Sequence, residues 1–90
     1  MDYKIVYTNS AAADIDKLEG ETAKRIIEKL GFFVKSKDPV LYAKKLKGFN
    51  MDTYRFRIGD YRVIFRLDKE SRALIVLVVL RVLHRKSAYK

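Results

Sequence analysis

The chain has 90 residues, 49% of them hydrophobic, no cysteine and a formal net charge of +9. That length implies a single domain spanning residues 1–90, and the composition excludes a disordered chain, a disulfide scaffold, a thiolate metal site and a catalytic thiol. The opening MDYKIVYTNS has no apolar signal core, and the longest apolar run, Ala73 to Leu80, has 8 residues where a spanning helix needs about 20, so a cytoplasmic protein with no membrane partner is expected.

In chain order, YKIVY (3–7) reads as a short strand, being rich in β-branched and aromatic residues. Asn9 or Ser10 then caps a helix through residue 18, with Ala11, Ile15 and Leu18 as its apolar stripe, and Gly20 ends it. Residues 21–37 form a second helix carrying Ala23, Ile26, Ile27, Leu30, Phe33 and Val34 at helical spacing. Gly31 inside it calls for close packing or a bend, and the short connection makes the two helices a hairpin. Asp38-Pro39 stops the second helix. A connecting segment with Lys44, Lys45 and Lys47 leads to three strands at 53–58, 61–67 and 74–83, followed by a basic tail. The order β-α-α-β-β-β predicts an α+β domain, a helical hairpin packed on a mostly antiparallel four-stranded sheet. The unbroken run ALIVLVVL marks the third of these strands as central.

Charge is segregated along the chain. Residues 1–38 carry 7 Lys+Arg and 7 Asp+Glu, while residues 39–90 carry 13 against 4, which is the whole net charge. Such asymmetry points to a polyanionic partner, nucleic acid first. The densest part is YRFRIGDYR (54–62). Gly59-Asp60 suits a two-residue hairpin loop with positive φ at the glycine, which pairs Ile58 with Tyr61, Arg57 with Arg62, Phe56 with Val63 and Arg55 with Ile64. Alternation then puts Tyr54, Phe56, Ile58, Tyr61, Val63, Phe65 and Leu67 on one face, against the helices, and Arg55, Arg57, Arg62, Ile64 and Arg66 on the other. Arg57 opposes Arg62, like charges placed so are destabilising, and no acid is expected on that face. A solvated surface would mix signs, so the face reads as an anion site for a phosphate-rich ligand. Placing Leu67 near Leu74 would bring Arg81, Leu83 and Arg85 to the same side, with Tyr89 beside it as an aromatic platform for a base.

KKLKG, YRFRIGDYRVIF and VLRVLHRKSAYK, in this order and spacing over nearly the whole chain, resemble the RelE/ParE superfamily of toxins from type II toxin–antitoxin modules, and its RelE branch most. The resemblance implies the RelE-like microbial RNase fold and a metal-independent endoribonuclease with no cofactor that cuts mRNA in the ribosomal A site. It implies as partners a cognate acidic antitoxin and the ribosome with bound mRNA, with oligomers formed mainly through the antitoxin complex. The positions matching the family's catalytic residues are Arg55, Arg57, Arg62, Arg85 and Tyr89. Arg55 and Arg62, joined by Arg57, would hold the phosphate and its transition-state charge, Arg85 would act near the leaving group, and Tyr89 would stack on the nucleotide. Lys44, Lys45, Lys47, His84 and Lys86 are expected to contact ribosomal or messenger RNA; the alternative readings are a solvated helix end for the three lysines and a structural role for His84. Arginine is a poor general base, which leaves Lys47, His84, a ribosomal group or purely positional catalysis for the 2′-OH proton. Asp14 and Asp16 point differently on a helix and make no metal site. Two other functions compete: a ParE-like DNA gyrase inhibitor and a non-enzymatic basic RNA- or ribosome-binding domain.

Overall fold

The computed structural model describes residues 2–36, 43–46 and 53–88; the Asp38-Pro39 helix stop, Lys47 and Tyr89 lie outside this range. Its elements are β1 (Asp2–Tyr7), α1 (Asn9–Asp16), α2 (Gly20–Lys35), β2 (Ala43–Lys45), β3 (Thr53–Ile58), β4 (Tyr61–Lys69), β5 (Leu74–His84) and α3 (Arg85–Ala88). The sheet order is β1-β5-β4-β3-β2. Among the described strands only the β1–β5 pair is parallel. The architecture is the expected α+β fold with one strand more than the four anticipated. The extra strand, β2, is Ala-Lys-Lys, with no β propensity of its own. It becomes a strand by pairing with Phe56, Arg55 and Tyr54 of β3.

Thr8 starts α1, rather than Asn9 or Ser10. It is extended (φ −70°, ψ 164°), and its hydroxyl accepts the Ala11 N–H at 3.1 Å while donating to the Leu80 carbonyl at 2.9 Å. Its own N–H donates to Val79 at 3.0 Å. One residue therefore caps the helix and fastens its first turn to β5. The first helix stops at Asp16, and Gly20, expected to terminate it, instead opens α2. At the far end of α2 the Ser36 hydroxyl donates to the Phe33 carbonyl at 2.6 Å, closing the helix two residues before the expected limit.

α2 buries Ile26, Leu30 and Phe33 against the sheet. The Phe33 ring lies 4.4 Å from Phe56, and Phe56 lies 4.3 Å from Phe65. Each such fully buried side chain contributes roughly 1.5–3 kcal/mol. Tyr54, Tyr61 and Leu67 pack around this column, so the predicted apolar face of the hairpin is the core face. Ile27, expected in the apolar stripe, sits at its edge and is 47% exposed. Nothing lies within 4 Å of a Cβ built on Gly31, so the close packing anticipated there is not found.

β5 is an interior strand, between β1 and β4, rather than the central one, with Val76 to Val79 buried. Leu77 and Val79 join the helix-side core. β1 flanks it only as far as Val79. A bulge follows, since Phe65 faces Val79 but Ile64 faces Arg81. Beyond that point Asp14 of α1 takes the place of a neighbouring strand. Its carboxylate accepts the Val82 N–H at 2.9 Å and the Arg81 Nε and Nη2 at 2.7 and 3.0 Å. The Arg81 hydrogen bond, above all, holds the Asp14 carboxyl below the ordinary carboxylate range, against the opposing effect of its burial.

A depressed folded-state pKa contributes stability above the ordinary carboxylate value, near 4, and that contribution is lost as the pH falls through the folded value. Asp14→Asn is therefore expected to cost about 1–2 kcal/mol at pH 7, since half-exposed Arg81 screens part of the interaction. Urea unfolding at pH 7 and pH 3 should show the gap to wild type shrinking in acid; an equal gap at both would refute the edge-clamp account.

Candidate functional site

The β3–β4 turn sets the site. Gly59 has φ +58°, and no non-glycine residue among those described has positive φ, so the turn has the II′ signature. The register is the one read from the sequence: Ile58 faces Tyr61, Arg57 faces Arg62, Phe56 faces Val63 and Arg55 faces Ile64. Arg55, Arg57 and Arg62 accordingly share the face opposite the helices. β2 adds to it selectively. Lys44 pairs with Arg55 and joins this face, whereas Lys45 pairs with Tyr54 and falls on the helix side. From β5, Arg81 and Leu83 pair with Ile64 and Arg62 and complete the face. Leu67 pairs with Leu77 rather than lying near Leu74, because β4 runs on to Lys69.

The three arginines differ in environment. Arg57 is exposed and Arg55 half-buried. Arg62 is only 4% exposed. Its Nη1 donates to the carbonyls of Gly59 at 3.2 Å and Tyr61 at 3.0 Å. Its Nε is buried with no hydrogen-bond partner among the described residues. Turn carbonyls thus offset part of the repulsion from Arg57 and lock the guanidinium in place. Two other arginines on this side are neutralised. Arg66 holds Asp68 through bonds of 3.1 and 3.3 Å, and Arg81 holds Asp14. An acid does therefore occur on the arginine face, contrary to expectation: β4 is two residues longer than the alternation indicated, and its extension carries Asp68.

Arg85 does not continue the strand. It opens α3, where its N–H donates to the Asp60 carbonyl at 2.7 Å and its Nε lies 3.9 Å from the Asp60 carboxylate. Lys86 follows it, exposed on the same turn. His84 pairs with Tyr61, which turns it to the helix side. The two rings meet edge to face at 5.3 Å, and the His84 Nδ1 accepts the Lys86 N–H at 3.3 Å. That bond assigns the ring proton to Nε2. The structure thus gathers Lys44, Arg55, Arg57 and Arg62 on one face, sets Arg85 at its margin, and turns Lys45 and His84 away. Asp60, Asp68 and Asp14 were missed as partners of arginines. The available signal for Asp60 was an acid set in the middle of a basic hairpin.

A family model described as the ParE toxin of the type II toxin–antitoxin system, parDE, matches residues 5–89. Toxin RelG of Mycobacterium tuberculosis is 31% identical over 90 residues, covering 100% of this chain and 99% of the relative. The toxin–antitoxin complex RelBE2 of the same organism contains a chain with TM-score 0.78 and 29% identity, covering 94% of this chain and 100% of that one. A RelE–RelB complex from Pyrococcus horikoshii OT3 has a chain with TM-score 0.72 and 26% identity, covering 94% of this chain and 97% of that one. The chain belongs to the RelE/ParE superfamily of type II toxin–antitoxin toxins and is RelE-like.

Relieving the Arg57–Arg62 opposition has a measurable consequence. Arg57→Gln is expected to raise stability by a few tenths to about 1 kcal/mol at low salt, and the gain should fade as salt rises. Thermal unfolding across a salt series checks this; a destabilised variant would mean that the pair is not under repulsion.

Proposed function

We propose that this toxin is a ribosome-dependent endoribonuclease that cuts mRNA in the A site and so stops translation. The observation that carries the reading is the fixed, nearly buried Arg62 guanidinium beside Arg57 and Arg55 on a face opened to solvent by Arg57 and Lys44. In the reaction the ribose 2′-oxygen attacks the adjacent phosphorus, the P–O5′ bond breaks, and the products are a 2′,3′-cyclic phosphate and a 5′-OH. One proton leaves the 2′-OH and one reaches the departing oxygen. Arg62 and Arg55, with Arg57, hold the phosphate oxygens and the charge that grows on them. Arg85 serves the leaving oxygen, and Tyr89 stacks on the nucleotide. Lys44, with Lys47 and Lys86, follows the RNA backbone. Lys45 and His84, on the helix side, suit this role less well. The turning away of His84, with its Nδ1 engaged, leaves Lys47 or a group of the ribosome as proton acceptor. A cognate acidic antitoxin would neutralise the basic face and assemble the oligomer, and the setting is the cytoplasm.

A second reading, gyrase inhibition, is favoured by one observation: the matching family model is that of the ParE toxin. Cell-free translation separates the two. The wild type should halt synthesis and leave cuts within codons of ribosome-bound mRNA, and Arg62→Ala should lower cutting by about 10²-fold or more. Because Arg62 is buried, Arg62→Lys and a circular-dichroism check of folding accompany it. Intact mRNA with inhibited supercoiling would replace this reading by the second; salt-dependent RNA binding without cleavage would reduce it to a binding module.

A further inference from the structure

We infer that Asp60 is a positioning residue that seats the Arg85 guanidinium beside Arg62; its catalytic consequence rests on the endoribonuclease reading above. Consecutive residues of the β3–β4 turn hold arginines from two different elements. The Gly59 carbonyl accepts from Arg62 Nη1 at 3.2 Å. The Asp60 carbonyl accepts from the Arg85 N–H at 2.7 Å. The Asp60 carboxylate then lies 3.9 Å from Arg85 Nε. The main-chain bond fixes where α3 begins, and the carboxylate biases which way the Arg85 side chain leaves it. That side chain is 54% exposed, on a four-residue helix, and the Asp60 carboxylate is the acid it faces at 3.9 Å.

Simple electrostatics gives the opposite expectation. An acid at the tip of a basic hairpin weakens the attraction for a polyanion, so its removal should strengthen RNA binding. A positioning role therefore separates from a charge effect by the sign of the change in turnover. Asp60 is 67% exposed, so replacing it leaves the core intact.

The experiment measures cleavage of mRNA on programmed ribosomes by wild type, Asp60→Asn, Asp60→Glu, Arg85→Ala and the Asp60→Asn/Arg85→Ala pair. Asp60→Asn is expected to lower kcat about tenfold or more, since small misplacements of a reacting group are costly, with KM unchanged or lower. Asp60→Glu, which keeps the carboxylate within reach, should recover most of the loss. In the Arg85→Ala background, Asp60→Asn should have no further effect. Turnover by Asp60→Asn equal to or faster than wild type would overturn the inference, as would additive losses in the pair. The Arg85 Nε–H resonance supplies a readout independent of cleavage: it should shift in Asp60→Asn and return in Asp60→Glu. If the wild type cuts nothing, the endoribonuclease reading fails while this resonance still decides the contact, and an unmoved signal overturns it.

Discussion

The two-residue turn at Gly59-Asp60 determines which way every side chain of β3 and β4 points. A positive φ at Gly59 matches the turn to the twist of the flanking strands. The register that follows sends Phe56, Val63 and Phe65 into the core and Arg55, Arg57 and Arg62 to the opposite face. A slip by one residue would exchange the two sets, burying arginines and exposing phenylalanines. The same turn supplies the carbonyls that receive Arg62 and Arg85. Fold and candidate site therefore depend on one short piece of backbone.

Burial of Arg62 is the costly feature of this arrangement. A guanidinium withdrawn from water must recover hydrogen bonds, and here two neutral carbonyls do so while Nε finds no partner among the described residues. Among the described residues no carboxylate bonds to Arg62, in contrast to Arg66 and Arg81, which Asp68 and Asp14 hold. The positive character of the sheet face is thereby concentrated toward the hairpin tip and β2, at Lys44, Arg57 and Arg62. Ion pairing at the margins makes the face less uniformly positive than its composition suggests.

The hairpin was legible because two independent signals, turn chemistry and strict alternation, agreed over residues 54 to 67. Every pair read from them is present. That β5 is an interior strand was legible from its unbroken apolar run, although β4 holds the middle of the sheet. Features that depend on distant partners were not. β2 has no local strand pattern and exists through β3. The bulge at Leu80 follows from the switch of β5's neighbour from β1 to α1, where Thr8 and Asp14 take its edge groups. Thr8 was passed over as a cap because its second bond, to Leu80, joins residues at opposite ends of the chain. The site showed the same division: the shared face of the three arginines could be read from the sequence, but not their differing burial or the acids that hold their neighbours.

These placements bear on the chemistry. On the proposed reading the basic face supplies positive charge and fixed geometry, both of which favour a phosphorane-like transition state. It does not supply an imidazole: the single histidine faces the other way and receives a main-chain N–H. Of the acids that meet arginines of this region, Asp14 of α1 and Asp68 are bound to Arg81 and Arg66, and Asp60 adjoins Arg85. On that reading such a surface would grip RNA and stabilise developing charge, and would depend on its substrate arriving with the 2′-oxygen in line with the scissile bond. In-line placement of reacting groups accounts for about 7–11 kcal/mol in favourable cases. On the proposed reading, the ribosome would impose that alignment on mRNA while the toxin's arginines stabilise the charge that develops during the attack.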